Sequence, residues 1–504
     1  MFSIKSLHKI IFAISFTALF VVWQWYFVKS VFNFDFLARP ILADGFCKDC
    51  NVILISLDNL RAKSLLCYGY EKNTAPNLCS FAGKSYLFKN VYTPSSKTQD
   101  SHFSIFTGLY PISHGMTVPF TSVLDSNIKT LPQILASNGY TTLFSGPKND
   151  PHLPLDRGFE RGFSYKDKGD EPRYWMDNMK KNNLLNRKFF AFLHTYRVHE
   201  PYIPQKENIN KFYPGGPLIY VTRNDLCKKA YIKLLSQYPD RFKNLKVLND
   251  DYCNIYRDYN TKYAATWNVE IESYLARLDP YWDAFNNLDF LVKKEYTHAL
   301  YATSIYEMDL ELKKFFNELE NNKLLDKTIV VITADHGEEF FEHGGHSHAA
   351  NLYNESIQVP LIIYIPKSKS QIVEKLASSV DIMPTILSIL GIEAPEKITG
   401  IDLFSSKENK FVLAQHVTAN LETIITLKWK LILNGDEKEL FDLTSDPEEQ
   451  IDLSIKNTNI SNDLENKLNN YLFRLPKYNS IKSEPFPTWI DEEQRKKLIE
   501  TGYF

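Results

Sequence analysis

Cysteine is scarce in this chain, and so is any excess of charge. Six cysteines are few for 504 residues. Cys47 and Cys50 form a C-x-x-C pair, but no second pair follows, which argues against a zinc ribbon. A disulfide is permitted between Cys47 and Cys50 or between Cys227 and Cys253, and spacing does not choose between them. Lysine plus arginine number 58 and aspartate plus glutamate 60, a net charge of −2. No electrostatic footprint for nucleic acid is present. Hydrophobic residues at 44% and charged residues at 23% are those of an ordinary globular protein. The length suits one large domain or two to three smaller ones.

One long apolar run stands out, Ile10 to Val28, broken only by Ser15, Thr17 and Gln24. As a helix it would span about 28 Å, close to the hydrocarbon thickness of a bilayer. Lys5 and Lys9 precede it, and Trp23, Trp25 and Tyr26 cluster at its far end. That pattern predicts a single-pass signal anchor in the inner membrane, with residues 1–9 cytoplasmic and everything after residue 28 outside the cytoplasm, in the periplasm. The rival reading, a cleaved signal peptide, lacks a small-x-small site close behind the run. Residues 29–50 then read as a tether.

What the chain has in concentration is histidine near Asp335. His336, His343, His346 and His348 fall within thirteen residues, where random placement of the twelve histidines would put about 0.3. The stretch opens with Ile329-Val330-Val331-Ile332, a β-branched run that fits a strand buried on both faces of a parallel sheet. Asp335 and His336 follow, where the strands of an open α/β sheet end and ligands collect. A second such run, Val52 to Leu57, ends in Asp58. A carboxylate there is costly to bury unless paired or metal-bound. Between them, Ser95 to Gly108 begins with hydroxyls and Asp100, then turns apolar. This predicts a helix N-terminus, which caps itself or receives an anionic group.

Seven blocks carry a family resemblance. In order they are NVILISLDNLRAKSLLCYGYEKNTAPNL, SSKTQDSHFSIFTGLYPISHG, LDRGFERGF, FLHTYRVHEPY, TADHGEEFFEHG with LYNESIQVPLIIY, SSVDIMPTILSILGI, and WKLILNGDEKELFDLTSDPEE. The chain resembles the sulfatase branch of the alkaline phosphatase superfamily from about residue 51 to 453. The resemblance implies a doubly wound, mainly parallel α/β sheet with flanking helices over residues 51–400. A small C-terminal α+β subdomain with an antiparallel sheet is implied over 401–504. Leu300, Ile305, Met308, Leu312, Phe315 and Leu319 independently mark an amphipathic helix before the Ile329 strand. Trp429 to Leu433, followed by the turn signal Asn434-Gly435-Asp436, suits an antiparallel hairpin.

The resemblance also implies one divalent metal ion (Mn²⁺, Ca²⁺, Mg²⁺ or Zn²⁺) held by Asp58, Thr98, Asp335 and His336. Asn59 stands where sulfatases usually have a second acid. Thr98 occupies the nucleophile position, where sulfatases carry a cysteine or serine that becomes formylglycine within C/S-x-P-S-R. Here the text is T-Q-D-S-H, and threonine does not yield that aldehyde, so no formylglycine is expected. A threonine nucleophile is instead similar to the superfamily's phosphoethanolamine and phosphoglycerol transferases. His199 matches a residue facing the leaving group, and His348 or His346 one that contacts the anion's oxygens. His102 replaces an arginine and, when protonated, would stabilise anionic oxygens, and Lys148 lies where sulfatases carry a lysine. The expectation is a metal-dependent hydrolase or phosphotransferase acting on an anionic ester of a lipid or glycan through Thr98. Sulfate-ester hydrolysis is the alternative, and a non-catalytic glycan- or lipid-binding member is the reading from another class. Residues 206–290, rich in aromatic residues, form an insertion that lines or closes the pocket, or packs on itself.

Overall fold

The computed structural model describes residues 41–118, 122–147, 153–200, 202–215, 290–348 and 351–478. The expected membrane span at 10–28, residues 216–289 of the insertion, Lys148 and the Cys227–Cys253 pair lie outside the described residues. Among the described residues, no helix is long and apolar enough to cross a membrane.

An eight-stranded sheet forms the centre of the described fold. Its strands are β1 (Asn51–Leu57), β2 (Tyr86–Tyr92), β3 (Thr141–Gly146), β4 (Tyr165–Lys168), β5 (Phe189–Thr195), β6 (Thr328–Thr333), β9 (Leu361–Tyr364) and β10 (Gln371–Ser378). The order across the sheet is β10-β2-β9-β6-β1-β5-β3-β4. All neighbouring pairs are parallel except the two made by β9. Every residue of β1, β5 and β6 is buried, as expected of central strands covered by helices on both faces. Two short strands, β7 (Glu339–Phe340) and β8 (His346–Ser347), form a separate hairpin just beyond β6.

The helix Phe290–Asn321 leads into β6 and buries Leu300, Ile305, Met308, Leu312, Phe315 and Leu319, the face its sequence marks. Phe316 stacks on Phe81 of the helix Pro76–Ala82, with ring centroids 4.4 Å apart. Each such side chain contributes roughly 1.5–3 kcal/mol by leaving water, so packing rather than local propensity holds this helix. Residues 42–50, read as part of a tether, are hydrogen-bonded to the body of the fold. Leu42 donates to Phe404 O, Gly45 to Ser388 O and Cys47 to Ile389 O. Cys47 is bonded to Cys50, and a second disulfide, not anticipated from spacing, joins Cys67 to Cys79.

The C-terminal sheet is a four-stranded antiparallel meander, β11 (Val412–His416), β12 (Leu421–Ile425), β13 (Trp429–Asn434) and β14 (Glu437–Asp442). Asn434 pairs with Glu437 across the two-residue turn, and Gly435 takes the positive φ (59°) that the turn requires. Leu464, Leu468 and Leu472 of the helix Thr458–Arg474 pack on this sheet with Leu431 and Leu440.

Candidate functional site

Three adjacent central strands deliver the site. Ser56 of β1 pairs with His194 of β5 on one side and with Thr333 of β6 on the other. Asp58 therefore leaves β1 beside His194, while Asp335 and His336 leave β6 beside Asp58. This is the crevice beyond the carboxyl ends of the strands.

Asp58, Asp335 and His336 are buried, and their ligand atoms lie within 4.8 Å of one another. Asp335 Oδ1 accepts from the backbone N–H groups of His336 at 3.0 Å and Asn59 at 3.2 Å. Asp335 Oδ2 is buried, accepts no hydrogen bond and stands 3.4 Å from His336 Nε2. His336 Nδ1 donates to Gly337 O at 2.9 Å, which leaves the lone pair on Nε2. Burial pushes the His336 imidazole below its usual pKa and favours this neutral form. Thr98 Oγ1 lies 3.1 Å from the same Nε2, at the first position of the helix Thr98–Thr107. Two buried carboxylates beside a neutral imidazole are an expensive arrangement without a cation. The orphaned Asp335 oxygen and the oxygen-rich donor set fit a hard or borderline divalent ion.

His102 lies on this helix and is fully buried, with its ring 5.0 Å from that of His194. Its Nδ1 donates to Thr98 O at 2.8 Å and its Nε2 accepts from Ser56 Oγ at 2.9 Å, with no exposed surface. Both ring nitrogens thus make hydrogen bonds that tie Thr98 to β1, and Nδ1 also lies 3.8 Å from Asp335 Oδ2. Asp100, where the family motif has proline, is buried near Lys97. Burial pushes its carboxyl up to about 7, opposed by Lys97 and a Ser95 hydrogen bond. Lys97 in turn reaches Thr418 Oγ1 of the C-terminal subdomain at 3.1 Å.

The sequence reading missed His194. Its Nε2 lies 3.5 Å from Asp58 Oδ2, and neither ring nitrogen makes a hydrogen bond. Burial, then His102, pushes it well below the usual histidine pKa. The available signal was position: His194 closes the apolar run of β5 as Asp58 closes that of β1.

His348 rather than His346 reaches the site. The His348 ring stacks on His336 with centroids 4.4 Å apart, and His199 meets its edge at 4.9 Å. His346 is exposed on β8 and stacks on Phe341. His199 Nδ1 donates to Glu200 O at 2.6 Å, leaving Nε2 for a ligand. Burial, then His348, lowers His199 to about 4. An approaching anion opposes that shift and favours the protonated ring.

Glu338 lies beneath the histidine stack, fully buried. Its Oε2 accepts from Asn59 Nδ2 and from Tyr202 OH, the latter at 2.5 Å, and its Oε1 accepts from His348 Nδ1 at 3.2 Å. Asn59 adopts a left-handed backbone, φ 67°, and accepts from Tyr301 OH at 2.8 Å. The fourth histidine of the cluster, His343, goes elsewhere. Its Nδ1 meets Glu355 Oε1 at 2.5 Å and its Nε2 donates to Glu449 O at 2.9 Å.

A mainly parallel α/β sheet thus carries, at its strand ends, a buried Asp–Asp–His group that could hold a metal ion beside a helix N-terminus. The sulfatase family model matches residues 50–392, more than half of the chain, and the chain belongs to the sulfatase family. A second model, the C-terminal region of N-sulphoglucosamine sulphohydrolase, matches residues 342–476. An N-acetylglucosamine-6-O-sulfatase of Bacteroides thetaiotaomicron is 24% identical over 467 residues, covering 79% of this chain and 81% of its own. Human arylsulfatase K is 31% identical over 196 residues, covering 34% of this chain and 36% of its own. A solved enzyme in complex with its substrate D-glucosamine-2-N,6-O-disulfate superposes with a TM-score of 0.62 at 21% identity, covering 84% of this chain and 97% of that one. Phosphonate monoester hydrolase of Agrobacterium radiobacter gives 0.57 at 18% identity, covering 84% and 95%. The chain is thus a sulfatase-like hydrolase by family.

Proposed function

We propose that this protein hydrolyses sulfate esters on a glycan, with Thr98 as the attacking group. The site observation behind this reading is Thr98 Oγ1, 3.1 Å from His336 Nε2 and at a helix N-terminus. The sulfate and glycan parts rest on the named relatives, which include an N-acetylglucosamine-6-O-sulfatase. A divalent cation held by Asp58, Asp335 and His336, with Thr98, would lower the pKa of the Thr98 hydroxyl and polarise the ester oxygens. Thr98 Oγ, its proton lost to solvent, attacks sulfur as the bond from sulfur to the glycan oxygen breaks. His199 protonates that leaving oxygen through Nε2. The positive N-terminal end of the Thr98 helix would favour the remaining anionic oxygens. Water then attacks sulfur, returning the Thr98 hydroxyl and releasing sulfate. An aldehyde hydrate would expel sulfate with its second hydroxyl; threonine has none, so this second step needs water.

The identity of Thr98 favours a second reading, phosphoryl transfer. A phosphothreonine formed by the same attack is resolved by water or by an acceptor alcohol. The N-terminal anchor, with the catalytic domain outside the cytoplasm, remains part of the proposal and is checked by membrane fractionation with protease accessibility.

The test incubates the chain with Mn²⁺ and an aryl sulfate, and separately an aryl phosphodiester, beside Thr98→Ala. Sulfate turnover that is lost in the variant supports the first reading. Phosphodiester turnover alone, lost in the variant, replaces it with the second. Turnover surviving in Thr98→Ala removes the nucleophile from both. Metal binding with no turnover of any ester favours a glycan- or lipid-binding member of the fold.

A further inference from the structure

We propose that Glu338 is a positioning residue that sets the amide orientation of Asn59 and the tautomer of His348 together. Three donors from three separate segments converge on this one buried carboxylate: Asn59 Nδ2, Tyr202 OH and His348 Nδ1. Only a group with two accepting oxygens satisfies all three at once.

The consequence on one side concerns Asn59. Its backbone N–H is given to Asp335 Oδ1, its carbonyl accepts from Tyr301 and its Nδ2 is given to Glu338. That leaves Asn59 Oδ1, buried and accepting nothing, as its one uncommitted polar atom, on the residue that follows Asp58. Fixing Nδ2 on Glu338 therefore fixes which end of the amide is uncommitted. An aspartate at position 59 would set a like charge against Glu338, whereas asparagine supplies a donor.

On the other side, a donor at His348 Nδ1 leaves the lone pair of a neutral ring on Nε2. Its ring lies between those of His336 and His199. Glu338 thus links the carboxylate end of the site to its histidine end without needing to touch a substrate.

Replacing Glu338 by glutamine keeps the shape but offers one acceptor and one donor. One of two things must then invert. If the glutamine NH₂ faces His348, that ring must accept at Nδ1 and carry its proton on Nε2. If it faces Asn59, the Asn59 amide must turn over and present NH₂ where Oδ1 was.

The experiment uses the full chain with ¹⁵N-labelled histidine and needs no turnover, so it stands apart from the choice of ester. The His348 signals are identified by their loss in His348→Gln. In the unaltered chain at pH 8, His348 is expected to show a pyrrole-type Nδ1 and a pyridine-type Nε2. In Glu338→Gln, either these two exchange or Mn²⁺ affinity falls about tenfold or more, the size of a lost outer-shell partner. Tyr202→Phe removes one donor but leaves the carboxylate, and is expected to keep both the tautomer and the affinity. An unaltered chain with the proton on Nε2 overturns the proposal even if Glu338→Gln fails to fold. So does a folded Glu338→Gln in which tautomer and affinity are both unchanged.

Discussion

Two clusters in this molecule have nearly the same composition and different physics. Asp58, Asp335 and His336 form one buried carboxylate–imidazole group, and Glu339, His343 and Glu355 form another. In the first, Asp335 Oδ2 accepts no hydrogen bond and the Nε2 lone pair of His336 faces a hydroxyl. In the second, the valences are occupied. Glu339 Oε1 accepts from the backbone N–H of His343 at 3.0 Å and of Gly345 at 2.9 Å, and Oε2 accepts from Asn351 at 2.5 Å. Both nitrogens of His343 are also engaged, on Glu355 and on the Glu449 carbonyl. Donor identity alone does not make a metal site; open valences do.

The second cluster ties the site loop to the C-terminal sheet. Glu449 receives the backbone N–H of Asn354 at 2.6 Å and pairs with Lys430 of β13 at 2.6 Å, with both of those side chains at 0% exposure. Lys430 also donates to Asn354 Oδ1 at 3.0 Å. The neighbouring C-terminal sheet therefore holds the segment that follows His348.

The comparison can be broken at four points. Asp335→Asn has the largest expected effect, loss of divalent-ion binding and a fall in kcat/KM of about 10³-fold or more, with the Tm of the metal-free chain not lowered. Lys430→Met comes next. It leaves Glu449 buried without its partner and is expected to cost about 3 kcal/mol in urea unfolding, while Mn²⁺ affinity in the folded fraction is unchanged. His343→Gln follows, through a pH effect. Burial pushes His343 down, but Glu355 and Glu449 outweigh it and raise it to about 9. A pKa raised above the unfolded value of about 6.5 contributes stability that is complete below pH 6.5 and is lost as pH rises through 9. Tm should therefore fall between pH 6.5 and 9, and the His343→Gln chain should lose that part of the slope. His346→Ala is the smallest, with stability changed by less than about 0.5 kcal/mol and metal binding and turnover unaltered.

Much of the first cluster was legible because it sits at the ends of mainly apolar runs. Val52–Leu57 and Ile329–Ile332 announce buried central strands, and the first polar residues beyond them are where an α/β sheet binds ligands. The helix Phe290–Asn321 was legible from its apolar period. His194 was not, because one histidine closing the run Phe189–Leu193 looks like part of a core strand; only the pairing of Ser56 with it reveals the neighbour. The choice between His346 and His348 depends on the β7–β8 hairpin, which sets His346 against Phe341 and His348 against His336. The second cluster is invisible in sequence because its meaning comes from Glu449, 106 residues from His343. His102 replaces an arginine in the motif, yet the strand packing that gives Ser56 to its ring cannot be read from that motif.

The most direct test is calorimetric titration of Mn²⁺ into the chelator-stripped full chain, beside Asp335→Asn and Glu339→Gln. One site per chain, absent in Asp335→Asn and retained in Glu339→Gln, is the predicted result. A site that survives Asp335→Asn, or one that disappears in a folded Glu339→Gln, would contradict the assignment of the metal to the Asp58–Asp335–His336 cluster.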